Sequence, residues 1–176
     1  ECCSALENKG IKADYCLHEK SFIEAATGVN LPLFPEPITR FTHAILNPPY
    51  KKINSQSAEK KILSSLGVET VNLYSAFVWL AMLQISEGGE MVAITPRSFC
   101  NGTYFRPFRK AFLKEMGLEK IHVFKSRSAA FADDNVLQEN IIFHATKTKL
   151  KPDFIEVTNH SGNALDEFSE IRLVPC

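Results

Sequence analysis

Four consecutive residues, Asn47, Pro48, Pro49 and Tyr50, place hydrogen-bond acceptors beside an aromatic ring. The Asn47 side-chain oxygen and the Pro48 backbone carbonyl can both accept hydrogen bonds from a single amino group. Two adjacent prolines restrict the backbone, so these acceptors are held in place before a substrate binds. The Tyr50 ring can stack on a planar group beside them. The pattern therefore suits an amino group attached to a planar ring.

An amine of this kind is a poor nucleophile, because its lone pair is delocalised into the ring. Acceptors on both of its N–H groups favour a pyramidal nitrogen, which frees the lone pair to attack an electrophilic methyl group. The proton can leave afterwards, so the reaction needs no general base with a shifted pKa. The alternative is an ordinary Pro-Pro turn at the end of a strand, with Tyr50 as a surface aromatic.

The elements predicted around this turn place it at the edge of a sheet. Residues 41–46 form an apolar strand that ends at Asn47. Strands and helices alternate along the chain, which predicts an α/β fold with a doubly wound, mostly parallel, Rossmann-like sheet. The carboxyl ends of parallel strands share an edge, so Asn47, Pro96 and Ser126 should lie on the same side. The other predicted strands span residues 11–15, 90–95, 118–124, 136–146 and 153–158. One helix is predicted to end near residue 8, and two more are predicted to span residues 73–86 and 103–116.

Local signals set the limits of these elements. Asn72 is predicted to cap the first of the two later helices, and Gly88-Gly89 to end it. Gly117 is predicted to end the second, whose apolar stripe is expected to consist of Phe105, Phe108, Phe112 and Leu113. Residues 28–40, with three prolines, are predicted to form a loop, and residues 51–70 a mobile loop with a short helix around 58–65.

Charge and composition narrow the class of protein. The net charge is +0, but residues 97–127 carry eight Lys or Arg against two Glu, and residues 51–61 carry four Lys against one Glu. Both runs begin at the predicted edge, where they would suit a phosphate backbone. No run of about 18 apolar residues and no signal peptide is present, so we expect a cytoplasmic protein without a membrane span. The 5 cysteines include no CxxC pair, which favours reduced thiols and no metal site.

Longer segments around the turn carry a family resemblance. The chain resembles the N6-adenine DNA methyltransferases of bacterial restriction–modification systems, in the class whose cofactor motif precedes the catalytic motif. The matching segments are THAILNPPY for the catalytic strand and loop, NLYSAFVWL for the following helix, GGEMVAITPRSFCNGTYFRPFRKAFL for the next strand, loop and helix, and LEKIHVF and VLQENIIFHA for the last two strands.

The resemblance implies a class I fold that uses S-adenosyl-L-methionine, and it assigns residues to the site. Asn47, Pro48 and Tyr50 match the base-binding residues, with Pro49 completing the catalytic turn and Asn47 also near the cofactor. Phe131 matches an aromatic that closes on the other face of a flipped adenine. Asp14 matches an acidic residue that binds the cofactor's adenine amino group, and Phe77 one that packs on the cofactor's adenine ring. Alternatively, both phenylalanines are core residues and Asp14 is a turn or helix-capping residue.

The resemblance also implies a domain organisation and partners. Residues 1–150 are expected to be a partial catalytic domain, incomplete at the N-terminus because the family's glycine-rich cofactor loop has no counterpart. Residues 151–176 are expected to be the end of that domain or a linker toward an absent target-recognition domain. The isolated fragment should therefore be inactive. The expected partners are double-stranded DNA with a flipped adenine, and a restriction subunit or fused nuclease outside this chain.

Two other classes of function remain open at this point. N5-glutamine methyltransferases that act on release factors, and RNA-base methyltransferases, can use the same turn, because an amide nitrogen has a similarly delocalised lone pair. The chain could also be a non-catalytic DNA-binding module of a restriction complex. The basic runs favour DNA over the release-factor alternative.

Overall fold

The computed structural model describes residues 21–27, 41–124, 140–160 and 170–176, together with residues 9, 10, 17 and 19. Within these residues the strands are β1 (Phe41–Leu46), β2 (Ile85–Pro96), β3 (Met116–Phe124), β4 (Asn140–Lys147), β5 (Phe154–His160) and β6 (Glu170–Pro175). They form one 6-stranded sheet in the order β1-β2-β4-β3-β5-β6.

The strand directions agree with the predicted α/β class. Strands β1, β2, β3 and β5 run one way, while β4 and β6 run the other. Strand β4 lies antiparallel between β2 and β3, so these two parallel strands do not pair with each other. Strand β5 falls where a strand was predicted, whereas β6 was not predicted.

The helices are α1 (Phe22–Thr27), α2 (Ala58–Ser65), α3 (Leu73–Gln84), α4 (Ser98–Asn101) and α5 (Arg106–Glu115), with a 3-10 turn at Thr103–Phe105 before α5. Helices α3 and α5 cover one face of the sheet. Helix α3 buries eight of its residues, as its nearly continuous apolar sequence predicts. Phe112 of α5 packs edge-on against Phe143 of β4, with ring centroids 5.4 Å apart, which joins the helix layer to the central strand.

The predicted helix over 73–86 is two residues shorter in the structure. It ends at Gln84, the backbone N–H of Ile85 bonds to the Ala81 carbonyl, and β2 begins at once. Gly88 and Gly89 therefore lie inside β2 and do not stop the helix. A Cβ on Gly89 would meet the Thr42 carbonyl at 2.8 Å, so glycine permits the close approach of β1.

The second predicted helix also differs at both ends. Its first residues form the 3-10 turn, and Gly117 lies in β3 because the helix already ends at Glu115. Phe105, Phe108 and Phe112 are buried as predicted, but Leu113 is 46% exposed and is not part of the apolar stripe.

The polar segment after Tyr50 is anchored more firmly than a mobile loop would be. Helix α2 forms where a short helix was predicted, and the Ser57 hydroxyl caps it by accepting a 3.2 Å hydrogen bond from the Lys60 backbone N–H. Leu63 and Val68 are fully buried. Packing of these two apolar side chains fixes the segment against the body of the domain.

The opposite face of the sheet carries apolar side chains as well. Ile45 of β1 is 87% exposed, and its register partner Val92 of β2 is also exposed. Among the residues given above, no helix is long and apolar enough to cross a bilayer. The predicted helix ending near residue 8, the strand at 11–15, the loop at 28–40, Ser126 and residues 136–139 lie outside the described residues.

Candidate active site

The predicted turn follows directly from the last residue of β1. Asn47 and Pro49 are exposed, Pro48 is buried and Tyr50 is half-buried. The register pairs Leu46 with Ala93 of β2, so the turn lies at the carboxyl edge where β2 also ends at Pro96. Asn47 is thus exposed to solvent in a turn whose second residue, Pro48, is buried in the protein.

Backbone pairing fixes the chain on the far side of the turn. The Lys51 carbonyl accepts a 2.8 Å hydrogen bond from the Leu73 N–H, and the Ile53 N–H donates a 2.8 Å bond to the Val71 carbonyl. Between them, Lys52 and Asn72 form an antiparallel bridge. The residues that follow Tyr50 are therefore joined to those that lead into α3.

Asn72 starts α3 as predicted, but its side chain makes no capping hydrogen bond. Its backbone carbonyl accepts instead, from the Ser75 hydroxyl at 3.0 Å and the Ala76 N–H at 3.2 Å. The Ser75 hydroxyl is also hydrogen-bonded to the Thr70 hydroxyl inside the protein. The entry to α3 is held by these polar contacts and by the bridge to Lys52.

The aromatic neighbour of Tyr50 is Tyr74, at the second position of α3. The two rings meet edge to face, with centroids 6.3 Å apart and planes at 85°. Tyr74 is 2% exposed, and its hydroxyl lies 3.2 Å from the Ser98 hydroxyl. Burial raises the pKa of Tyr74 to about 12, and burial also raises the pKa of Tyr50. Both phenols therefore stay neutral at physiological pH.

Tyr74 and Ser98 were not among the site residues predicted from the sequence. Tyr74 lies in the NLYSAFVWL segment, three residues before Phe77, but an aromatic on an apolar helix is usually a core residue. Only the structure shows that its ring contacts Tyr50.

Phe77 occupies the next turn of α3. It is half-buried and its ring packs against Phe22 of α1, with centroids 4.8 Å apart and planes at 39°. Phe77 shares its helix with Tyr74, but its ring contacts Phe22 of α1, whereas the ring of Tyr74 contacts Tyr50. Asp14 and Phe131, the other two predicted site residues, lie outside the described residues.

Buried polar atoms without a hydrogen-bond partner cluster along this sheet edge. Within the described parts of the chain they are the Tyr50 hydroxyl, the Thr95 hydroxyl and the Asn140 side-chain oxygen. Thr95 is the penultimate residue of β2, and Asn140 is the register partner of Pro96. Buried polar groups normally have partners, so each of these three atoms requires a partner that the described residues do not supply.

The structure divides the basic residues into two groups. Arg109 donates from Nη1 to the Phe99 carbonyl at 2.8 Å and the Gly102 carbonyl at 2.6 Å, which fixes the turn after α4. Lys60 binds the Thr70 carbonyl at 3.1 Å, and Lys120 forms a 3.5 Å ion pair with Glu156. These three basic side chains therefore form contacts within the protein.

A second group of basic side chains is exposed: Lys51 and Lys52, directly after Tyr50, and Arg106 and Lys110 on α5. Across the described residues, no three His, Cys, Asp or Glu side chains are placed to hold a metal ion. Cys100 and Cys176 carry free thiols. The arrangement thus combines an exposed asparagine, a half-buried aromatic ring and exposed cations.

The chain is similar to methyltransferases of restriction–modification systems. A family model described as Eco57I restriction-modification methylase matches residues 6–131. The chain is 56% identical over 129 residues to the type II methyltransferase M.PstI of Providencia stuartii, covering 73% of this chain and 25% of the relative. It is 53% identical over 133 residues to the type II methyltransferase M.BsuBI of Bacillus subtilis, covering 76% and 26%. The chain therefore spans about a quarter of the length of the curated relatives it matches.

The fold also has solved counterparts. One is a Listeria monocytogenes protein assigned to the class I S-adenosylmethionine-dependent methyltransferases, with a TM-score of 0.58 at 13% sequence identity. The similarity covers 73% of this chain and 39% of that chain. At this identity the likeness concerns the fold alone, and it agrees with the Rossmann-like sheet predicted from the sequence.

Proposed function

Because the chain belongs to the Eco57I restriction-modification methylase family, we propose that it supplies the reaction centre of a site-specific DNA methyltransferase. The proposed reaction transfers a methyl group from S-adenosylmethionine to the exocyclic N6 of an adenine. The observation that carries this proposal is the turn after β1, where exposed Asn47 follows the strand, Pro48 is buried and the Tyr50 ring is half-buried.

The proposed mechanism uses two acceptors on one nitrogen. The Asn47 side-chain oxygen and the Pro48 carbonyl each accept an N–H of the adenine amino group, which favours a pyramidal nitrogen. With S-adenosylmethionine bound, this lone pair would be directed at the methyl carbon, and the cofactor would supply the methyl group and keep the electron pair of the broken S–C bond. The extra proton on nitrogen passes to solvent. Prior fixation of both acceptors lowers the reorganisation required in the transition state.

Tyr50 is proposed to stack on the adenine ring and orient it toward the methyl donor. An adenine in duplex DNA must first leave the helix, at a cost of a few kcal/mol. Stacking on an aromatic side chain offsets part of this cost. Phe131 is proposed to cover the other face of the base. Raised pKa values, caused by burial, keep Tyr50 and Tyr74 uncharged, which suits contact with a neutral base.

S-adenosylmethionine, when bound, supplies the electrophilic methyl group on a sulfonium centre. Phe77 fits contact with its adenine ring, since that side chain is aromatic and only half-buried. Asn47 is exposed, which suits a position beside the methyl group of the cofactor. Asp14 is proposed to bind the adenine amino group of the same molecule. These assignments extend the family resemblance to residues of matching type and position.

DNA is the proposed partner, and exposed Lys51 and Lys52 next to Tyr50 suit contacts with its phosphates. A restriction nuclease, either a separate subunit or a fused domain, is the second proposed partner. We favour residues 151–176 as the end of the catalytic domain over a linker, because β5 and β6 continue the sheet.

Family membership supports DNA over the release-factor and RNA alternatives, since the matched family and both relatives carry restriction–modification or type II methyltransferase names. The non-catalytic alternative is disfavoured by the intact turn and its exposed Asn47. An inactive module would have no requirement for two preorganised acceptors beside an aromatic ring.

The test is methyl transfer by the full-length protein that contains this chain. Tritiated cofactor and duplex DNA should give labelled N6-methyladenine, whereas release factor and RNA should stay unlabelled. Asn47→Ala should lower kcat by roughly a hundredfold or more, the scale for loss of one preorganised polar group. Asn101→Ala, an exposed asparagine on α4, should retain activity. Undiminished transfer by Asn47→Ala would remove the turn from the mechanism.

A further inference from the structure

Packing, and not a hydrogen bond to another described residue, holds the Tyr50 ring in place. Its hydroxyl is buried and lacks a partner among the described residues. A tyrosine without such a bond is oriented by the side chains packed against its ring. The ring contact recorded for Tyr50 is with Tyr74, edge to face at 6.3 Å and 85°.

Tyr74, in contrast, is fixed from several directions. It is 2% exposed, and its hydroxyl lies 3.2 Å from the Ser98 hydroxyl. Its ring also packs against Phe105, with centroids 5.5 Å apart. Tyr74 therefore links the turn after β1 to α4 and to the 3-10 turn before α5.

The backbone reinforces this link. Lys51 and Leu73, the residues directly next to Tyr50 and Tyr74, share a 2.8 Å hydrogen bond. The bridge between Lys52 and Asn72 continues the pairing. Backbone pairing thus sets the separation of the two tyrosines, and the edge-to-face contact sets the orientation of one ring against the other.

We propose that Tyr74, tethered by Ser98, is the positioning residue that holds the Tyr50 ring as a preformed platform for the extrahelical base. Tyr74 does not touch the base and acts only through Tyr50. The proposal rests on the proposed function, because the platform has meaning only if Tyr50 stacks on a substrate ring. Neither Tyr74 nor Ser98 is among the site residues predicted from the sequence.

A double-mutant cycle in the full-length protein tests this proposal, with kcat/KM for DNA methylation as the readout. Tyr74→Leu alone should lower kcat/KM roughly three- to tenfold, the range that corresponds to an aromatic edge contact. In a Tyr50→Leu background, the same change should cost less than about twofold, because the residue through which Tyr74 acts is gone. Tyr74→Phe keeps the ring edge but loses the hydroxyl contact with Ser98, so its kcat/KM should lie between those of wild type and Tyr74→Leu.

A purely structural role predicts a different pattern. Trp79→Leu is the matched control, since Trp79 is a buried aromatic on the same helix that contacts Phe108. Its effect on kcat/KM should follow its effect on melting temperature and should be equal with and without Tyr50. If Tyr74→Leu behaves in the same additive way, the positioning proposal is wrong.

A second readout and a second variant cover the remaining outcomes. In a duplex with 2-aminopurine at the target position, Tyr74→Leu should reduce the fluorescence change that accompanies base extrusion. If Tyr74→Leu does not fold, Ser98→Ala replaces it in the cycle and should be non-additive with Tyr50→Leu. Absence of methyl transfer by the unmodified protein would overturn the proposed function, whereas an active protein with an additive cycle would overturn the positioning role alone.

Discussion

The side-chain ammonium of Lys147, at the end of β4, donates a 2.7 Å hydrogen bond to the backbone carbonyl of Met82. Met82 lies in the last turn of α3, where carbonyls lack partners within the helix. Lys147 is 9% exposed, so its cation caps the negative end of this helix from within the protein.

We expect Lys147→Met to lower the free energy of unfolding by about 1–3 kcal/mol, since it removes a charge-assisted hydrogen bond and leaves a buried carbonyl unpaired. Urea denaturation followed by circular dichroism measures this change. Lys149→Met, at an exposed position two residues along the chain, is the matched control and should change stability by less than about 0.5 kcal/mol. Equal stabilities of the two variants would contradict a capping role for Lys147.

The pKa of Tyr74, raised by burial to about 12, predicts a pH dependence of stability at alkaline pH. In the unfolded chain this phenol loses its proton near pH 10, while in the folded protein it keeps it. The unfolded state therefore binds fewer protons between these values, and stability falls as the pH rises from about 10 to about 12. Below about pH 10 this residue contributes no pH dependence to the stability, because its phenol is protonated in both states.

Comparison with Tyr74→Phe isolates this contribution from that of the lysines. The stability difference between wild type and variant should be constant at pH 7–9 and should shift by about 1–2 kcal/mol toward the variant at higher pH. Denaturation curves at half-unit pH steps provide the measurement. Parallel pH profiles would show that Tyr74 titrates normally in the folded state.

The exposed cations beside Tyr50 predict a salt-dependent affinity for DNA. Each phosphate contact that is lost should reduce the slope of log K against log salt by about 0.9. We expect Lys51→Gln and Lys52→Gln each to reduce this slope by up to that amount, in fluorescence anisotropy titrations of the full-length protein. Lys120→Gln is the control, because Lys120 is paired with Glu156 on another part of the sheet. If the salt-dependence slopes of Lys51→Gln and Lys52→Gln equal that of wild type, these two lysines do not contact DNA phosphates.

The unpartnered hydroxyl of Thr95 predicts that its removal costs no stability. Thr95→Val replaces a buried hydroxyl without a partner among the described residues by a methyl group of similar size. Stability should stay the same or rise by up to about 1 kcal/mol. Thr70→Val is the comparison, since this hydroxyl is bonded to Ser75, and it should destabilise by about 1 kcal/mol.

Activity separates two explanations for the Thr95 hydroxyl. If the Thr95 hydroxyl takes part in the active site, Thr95→Val should lower the rate of methylation without lowering stability. Active-site residues are often retained for function at the expense of stability. Melting temperature and kcat, measured on the same preparation, distinguish this outcome from a variant that is simply better packed. Unchanged kcat would exclude Thr95 from the site.

Local sequence patterns predicted the turn and the strand before it, because both signals lie within ten residues. An apolar run ends at Asn47, and two prolines cannot continue a strand. Strand β1 accordingly spans Phe41–Leu46, as predicted. The class of fold was also predictable, from the alternation of apolar strands with helices.

Features that depend on distant partners were not predictable in the same way. Gly88-Gly89 is a common helix stop, but here it allows the Thr42 carbonyl to approach β2, and nothing near the glycines in sequence indicates that. The role of Tyr74 depends on its contact with Tyr50 across the segment that contains α2. Leu113 fits the helical spacing, yet it is exposed, since the sheet covers only the side occupied by Phe108 and Phe112.

The central place of β4 has a consequence for the order in which the protein can be assembled. Strands β1 and β2 are synthesised before β3, but β4, the strand that joins β2 to β3 in the sheet, comes last of these four. Until residues 140–147 have emerged from the ribosome, one edge of β2 has no neighbouring strand. The sheet that carries Asn47 is therefore completed only after residues 140–147 have been synthesised, and helices α3 and α5 pack on a sheet whose central strand is made after them.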